Sequence, residues 1–166
     1  MQPEYAEIIT HKPVQKFLLK FYLSDAPMYS LILISSIIGT LEGTRVTLDS
    51  VCKKATEKHL PTYIITRKPE DEFRQKAIDI LLNYENIELR FNESLHGKLY
   101  ICLCQDEGQS FALLGSANLT RNSMENNIKI AMMIFGRGKG REILGELSHW
   151  GLMRLRTLRV CSIFNW

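Results

Sequence analysis

Apolar and polar positions along the chain switch between two periods, and the switches outline its elements. Residues 14–23, VQKFLLKFYL, put Phe17, Leu18 and Phe21 on one stripe at helical spacing, with Pro13 suited to the first turn. Residues 29–38, YSLILISSII, form a nearly unbroken apolar run, the pattern of a central strand covered on both faces. A helical stripe returns over 48–59 with Val51, Cys52 and Ala55 inward and Thr47 or Asp49 near its cap. A short strand over 62–66 follows Pro61. Pro69 and the acids Glu70, Asp71 and Glu72 then open a helix expected to reach Tyr84 and to bury Phe73, Ala77, Ile80 and Leu81. Residues 87–91 and 127–135 read as strands, 136–140 as a flexible basic loop and 141–152 as a helix. Residues 1–12 show no period and are expected to form an irregular arm. The alternation of strands and helices in the first half implies βαβ units. The expected fold class is α/β: a mixed, largely parallel β-sheet flanked by helices on both faces, in one domain over residues 1–166.

Residues 95–120 break this rhythm. Two apolar runs flank Gln105-Asp106-Glu107-Gly108-Gln109, which reads as a hairpin with a three-residue loop and Gly108 at positive φ. Centred on Glu107, the hairpin sets Lys98 opposite Ser116 and His96 opposite Asn118. Side chains alternate along a strand and cross-strand partners share a face, so the four polar groups are expected to converge at its open end.

Composition narrows the possibilities. A net charge of +3 is too small to argue for nucleic acid by itself. Cys102 and Cys104 share a face within an apolar strand, and neither they nor Cys52 and Cys161 have zinc-like spacing. Buried, reduced cysteines in a cytoplasmic protein are the expectation, with no metal site. No secretory leader is evident, and no apolar run is long enough to span a bilayer.

The order His96-x-Lys98, a strand return, then Gly115-Ser116-x-Asn118 resembles the HKD motif of the phospholipase D superfamily. The wording HGKLY and GSANLT is most similar to its nuclease branches, which include bacterial endonucleases and restriction enzymes. The chemistry agrees with the residues. Lys98 offers a cation and Asn118 an amide donor for the charged oxygens of a phosphodiester, while a neutral imidazole is a competent nucleophile. The resemblance implies a phospholipase D-like fold and a metal-independent phosphodiesterase without a cofactor, most similar to a DNA endonuclease. It implies that His96 attacks phosphorus and forms a phosphohistidine that water resolves. Ser116 then supports the site, and Gly115 permits close backbone approach. One motif supplies one imidazole, and His11, His59 and His149 have surface or helical contexts. The family solves this by pairing two motifs, which implies a homodimer with a shared active site.

Two positions depart from the family pattern. Leu103 stands where the motif has an aspartate, and Lys129 where the family places a glutamate after GSxN. Glu125 is the remaining candidate carboxylate for orienting the partner imidazole. Arg67 and Lys68 after a strand, and Arg121 after the motif, are candidate phosphate contacts. The basic 137–141 loop and Arg154, Arg156 and Arg159 are candidates to track a nucleic-acid backbone. The partners expected are DNA or RNA, a second copy, and a separate specificity domain or subunit, with no membrane. A lipid phosphodiesterase of the same superfamily and a catalytically impaired nucleic-acid-binding module are the alternatives.

Overall fold

A computed structural model describes residues 5–125 and 129–157. In chain order the elements are β1 (Ala6–Ile9), α1 (Pro13–Leu23), β2 (Met28–Ile34), α2 (Leu48–Glu57), β3 (Thr62–Thr66), α3 (Glu72–Leu82), β4 (Ile87–Phe91), β5 (Leu99–Cys104), β6 (Phe111–Gly115), α4 (Arg121–Glu125), β7 (Ala131–Phe135) and α5 (Lys139–Thr157). The strands form one seven-stranded sheet in the order β1-β7-β6-β5-β2-β3-β4. The sheet is mixed. Parallel neighbours occur only at β2–β3 and β3–β4, and the other pairings are antiparallel. The sense in which it is largely parallel is direction: only β5 and β7 run against the rest.

Helices cover both faces. On one, α1 to α4 pack on Leu31, Leu33, Tyr100, Cys102 and Leu113. Phe17 of α1 is fully buried, with its ring centroid 5.2 Å from that of Phe111 and 5.7 Å from that of Tyr100. Burying such a side chain contributes about 1.5–3 kcal/mol. On the other face, Leu144 and Leu155 of α5 pack with Ile32, Ile34, Ile101 and Leu103. Helix α5 comes close because Gly151 faces β2: a Cβ there would already sit 3.5 Å from Ile32 and Ile34. Leu103, at the motif's aspartate position, is thus a core residue.

The caps explain where the helices begin. Thr47 accepts from the Ser50 N–H at 3.2 Å, and Asp71 accepts from the Arg74 N–H at 2.8 Å. With Asp71 as the cap, α3 starts later than Pro69 suggested and turns Ala77, Ile78 and Leu81 inward. Phe73 is 53% exposed and lies over Gly39 instead of entering the core. The irregular arm is corrected by β1, a four-residue edge strand on β7 whose shortness and central Glu7 hid its period. The 29–38 run leaves the sheet after Ile34, at Ser35. The expected basic loop is shorter because α5 starts at Lys139, and α5 carries Arg154 and Arg156. Residues 127, 128 and 158–166, which include Arg159 and Cys161, lie outside the described residues.

The hairpin forms in a different register. Its loop has six residues, with a 3-10 turn at Glu107–Gln109. Asp106 accepts from the Gly108 N–H at 2.9 Å, and Ser110 accepts from the Cys104 N–H at 2.9 Å. Gly108 has no positive φ. An even loop centres the hairpin between two residues, so Cys102 pairs with Phe111 and Leu99 with Leu114, one residue from the expected pairing. Lys98 then neighbours Gly115, whose N–H reaches the Lys98 carbonyl at 3.3 Å. The cross-strand argument for convergence therefore fails.

Candidate functional site

Convergence comes instead from the direction of the strands. Ser35 follows β2, Arg67 follows β3, Asn92 follows β4 and Ser116 follows β6, all at the carboxyl ends of strands running one way. His96 and Lys98 precede β5, and Lys129 precedes β7, both antiparallel to those strands. All these positions therefore share one edge of the sheet, the place where open α/β sheets gather ligand-binding loops.

At the centre of that edge His96 is exposed and meets Arg67. A guanidinium nitrogen of Arg67 lies 3.0 Å from Nδ1 and 3.1 Å from Nε2 of the imidazole. A guanidinium only donates, so the ring nitrogen it bonds is an acceptor. Arg67 is held there by its Nε, which donates to the Leu95 carbonyl at 2.8 Å. Lys98 curls back to donate to the His96 carbonyl at 2.7 Å. Burial, and then the charges of Arg67 and Lys129, hold the Lys98 ammonium below the ordinary lysine range. Arg67, Lys98 and Lys129 have no carboxylate partner among the described residues. Arg67 against the imidazole, with Lys98 and Lys129 near enough for their charges to interact, leaves positive charge at this edge without a neutralising carboxylate among the described residues.

The second half of the motif is anchored by buried hydrogen bonds. From the end of β6 the segment crosses β5, where Tyr100 donates its hydroxyl to the Ala117 carbonyl at 2.7 Å. It reaches the end of β2, where Ser35 accepts from the Leu119 N–H at 3.0 Å and lies 3.5 Å from the Asn118 side-chain oxygen. Ser35 is fully buried and donates to the Ile37 carbonyl at 2.7 Å. Without that hydroxyl the Leu119 N–H would be orphaned, at a cost of about 1–3 kcal/mol. The signal for Ser35 was present in the serine pair that interrupts the 29–38 run.

Other expected site residues occupy different environments. Ser116 makes its contacts with the Ile130 carbonyl, at 3.3 Å from its N–H and 3.4 Å from its hydroxyl. Gly115 is needed by the sheet: a Cβ there would come within 2.6 Å of the Ala131 Cβ and 2.7 Å of the Ile130 carbonyl. Arg121 pairs with Glu125 at 2.9 Å and lies against Gly43. The Glu125 carboxylate is therefore engaged within its own chain. Lys68 is exposed, and its N–H donates to Glu93 at 3.3 Å. Cys52, Cys102 and Cys104 are buried free thiols, and burial first of all pushes Cys52 up to about 12. Among the described residues, no group of three or more His, Cys, Asp or Glu side chains is placed to hold a metal. No described helix is long and apolar enough to cross a membrane.

No protein-family model matches the sequence, and no curated protein does. Solved structures do match. Nuc, a phospholipase D family member from Salmonella typhimurium, aligns with a TM-score of 0.70 at 14% identity, over 94% of this chain and 98% of that one. NucT from Helicobacter pylori aligns with a TM-score of 0.70 at 16% identity, over 94% and 98%. TrmBL2, an archaeal chromatin protein whose structure shows a novel mode of DNA binding, aligns over 95% of this chain and 54% of its own, with a TM-score of 0.54 at 12% identity. At these identities the likeness establishes the fold, which is of the phospholipase D type.

Proposed function

From this fold and the unneutralised cations around His96, we propose that the chain is a metal-independent phosphodiesterase that cleaves DNA or RNA. The observation that carries the reading is Arg67 against an exposed imidazole, with Lys98 on the His96 carbonyl and Lys129 in charge range of Lys98, none with a carboxylate partner among the described residues. A phosphodiester supplies the missing negative charge. Charge grows on its non-bridging oxygens in the transition state, where Lys98 and Arg67 are pre-placed to receive it. Asn118, tied to the end of β2 beside Ser35, offers an amide donor to the same group.

In the proposed reaction a ring nitrogen of His96 attacks phosphorus. A nitrogen–phosphorus bond forms as the bond to the leaving oxygen breaks. That oxygen takes a proton from His96 of the partner subunit. Water then attacks phosphorus, gives its proton back to that second imidazole, and displaces His96. Two features support a homodimer. Among the described residues no second histidine hydrogen-bonds to this cluster. On the α5 side of the sheet Ile8, Met132 and Leu114 are cross-strand neighbours that remain 58%, 39% and 42% exposed. An uncovered apolar strip across three strands suits an isologous contact.

Cleavage of plasmid and single-stranded DNA in excess EDTA tests the reading. Expected is turnover that survives the chelator. Turnover that stops with EDTA and returns with a divalent cation rejects metal independence. Tight DNA binding without any cleavage favours a binding module, and hydrolysis of phospholipid vesicles but not DNA favours a lipid enzyme.

A further inference from the structure

Beside His96, on the side facing α5, lies a cavity of about 280 Å³. Its lining includes Ile34, Ile65, Asn92, Ser94, Trp150 and Arg154, and His96 itself forms part of the wall. Small-molecule sites run to about 300–1,000 Å³, so this space fits a single ring system and not a large ligand. Ile34 and Ile65 are fully buried aliphatic floor, while Trp150 of α5 is 42% exposed, an unusual state for a large indole. Arg154, one helical turn on, places its guanidinium 5.6 Å from the centre of the Trp150 ring. At the mouth, Asn92 accepts from the Ser94 N–H through its Oδ1 at 3.0 Å. The Asn92 amide nitrogen and the Ser94 hydroxyl have no hydrogen-bond partner among the described residues.

We propose that this cavity is a nucleobase subsite, in which the base next to the scissile phosphate leaves its stack and packs against Trp150. The inference rests on the phosphodiesterase reading and adds the form of the substrate. A phosphate at His96 puts the adjoining sugar and base within one nucleotide of the cavity, because His96 belongs to both. The Trp150 face and the Arg154 guanidinium provide a stacking surface that suits any base. Asn92 and Ser94 provide a donor and a donor-acceptor for its edge. A base held there cannot remain paired, so single strands, loops and mismatches are the preferred substrates and an intact duplex carries an unpairing penalty.

The test compares the unaltered protein with its Trp150→Ala and Trp150→Phe variants. The substrates are a single-stranded oligodeoxynucleotide, its duplex and the base-free diester bis(p-nitrophenyl) phosphate. Stacking on an aromatic ring corresponds to roughly 5- to 150-fold in affinity. Expected for Trp150→Ala is a fall in kcat/KM on the single strand at least about tenfold greater than on the base-free diester, expressed mainly in KM and largely rescued by phenylalanine. Equal losses on the two substrates, or no loss on the single strand, overturn the proposal. A binding arm in a His96→Ala background keeps the test separate from catalysis. There, addition of Trp150→Ala must weaken single-strand binding by the same factor; unchanged binding overturns the subsite. If the unmodified protein cleaves neither substrate, the phosphodiesterase reading fails, and the binding arm alone decides the subsite. Weakened binding of phosphatidylcholine vesicles instead of the oligonucleotide would replace the base by a lipid and overturn it as well.

Discussion

In the proposed mechanism, replacing His96 with alanine lowers kcat for phosphodiester hydrolysis by about 10⁴-fold or more, because the nucleophile of a covalent mechanism has no substitute. The geometry also predicts what does not fall. Arg67 spends one of its guanidinium nitrogens on the imidazole, at 3.0 Å and 3.1 Å from the two ring nitrogens. Freed from the ring, it still faces the phosphate together with Lys98 and Lys129. Oligonucleotide affinity, read by titration, therefore stays the same or tightens in the variant while turnover disappears. Loss of binding in parallel with turnover would mean that His96 organises the cation cluster and does not attack. Measuring both quantities on one preparation separates these roles.

Lys98→Ala has the next largest effect, a fall of about 10²–10³-fold in kcat, the range for removing one preorganised donor to a developing oxyanion. Arginine does not restore it. The lysine ammonium must fit a compact place against the His96 carbonyl at 2.7 Å, which a planar fork does not match. The pH dependence carries a sign that can be worked out. Burial, then the Arg67 and Lys129 charges, lower the folded-state value of Lys98, so its proton leaves at lower pH than that of a free lysine. The ammonium is the active form, so kcat/KM declines on an alkaline limb that begins below the usual lysine range. Arg67→Gln removes one of the opposing charges and moves that limb upward. A bound phosphodiester adds negative charge beside the ammonium and favours it, so the limb in kcat lies at higher pH than the limb in kcat/KM.

The residues that could be read from the sequence are those whose spacing encodes chemistry. His96 and Lys98 stand together because they are two apart, and Arg67 was legible as a cation just past a strand. Burial followed hydrophobic period closely at Phe17, Leu18 and Phe21. What could not be read depended on long-range geometry. A six-residue loop in place of the expected three-residue turn moves the hairpin centre from Glu107 to between Asp106 and Glu107, which shifts every cross-strand partner by one. The shift left Lys98 beside Gly115, and Gly115 proved to be a sheet-packing glycine. Ser35 looked like part of a strand until the chain left the sheet there to hold Leu119 and Asn118. Trp150 and Arg154 reach the site from α5, more than fifty residues along the chain from His96, and no local pattern reports that approach. The site was therefore legible as a list of candidate groups, whereas its supporting hydrogen bonds and its cavity were properties of the fold.

The central claim is that His96 becomes covalently attached to phosphorus. The most direct measurement is a rapid quench of the protein with an internally phosphorus-radiolabelled single-stranded oligonucleotide, followed by denaturation, proteolysis and peptide mapping. The account predicts a burst of protein-bound label, stable in alkali and labile in acid, on the peptide that contains His96, with none in the His96→Ala protein. Full turnover without protein-bound label, or label on a peptide lacking His96, would contradict it.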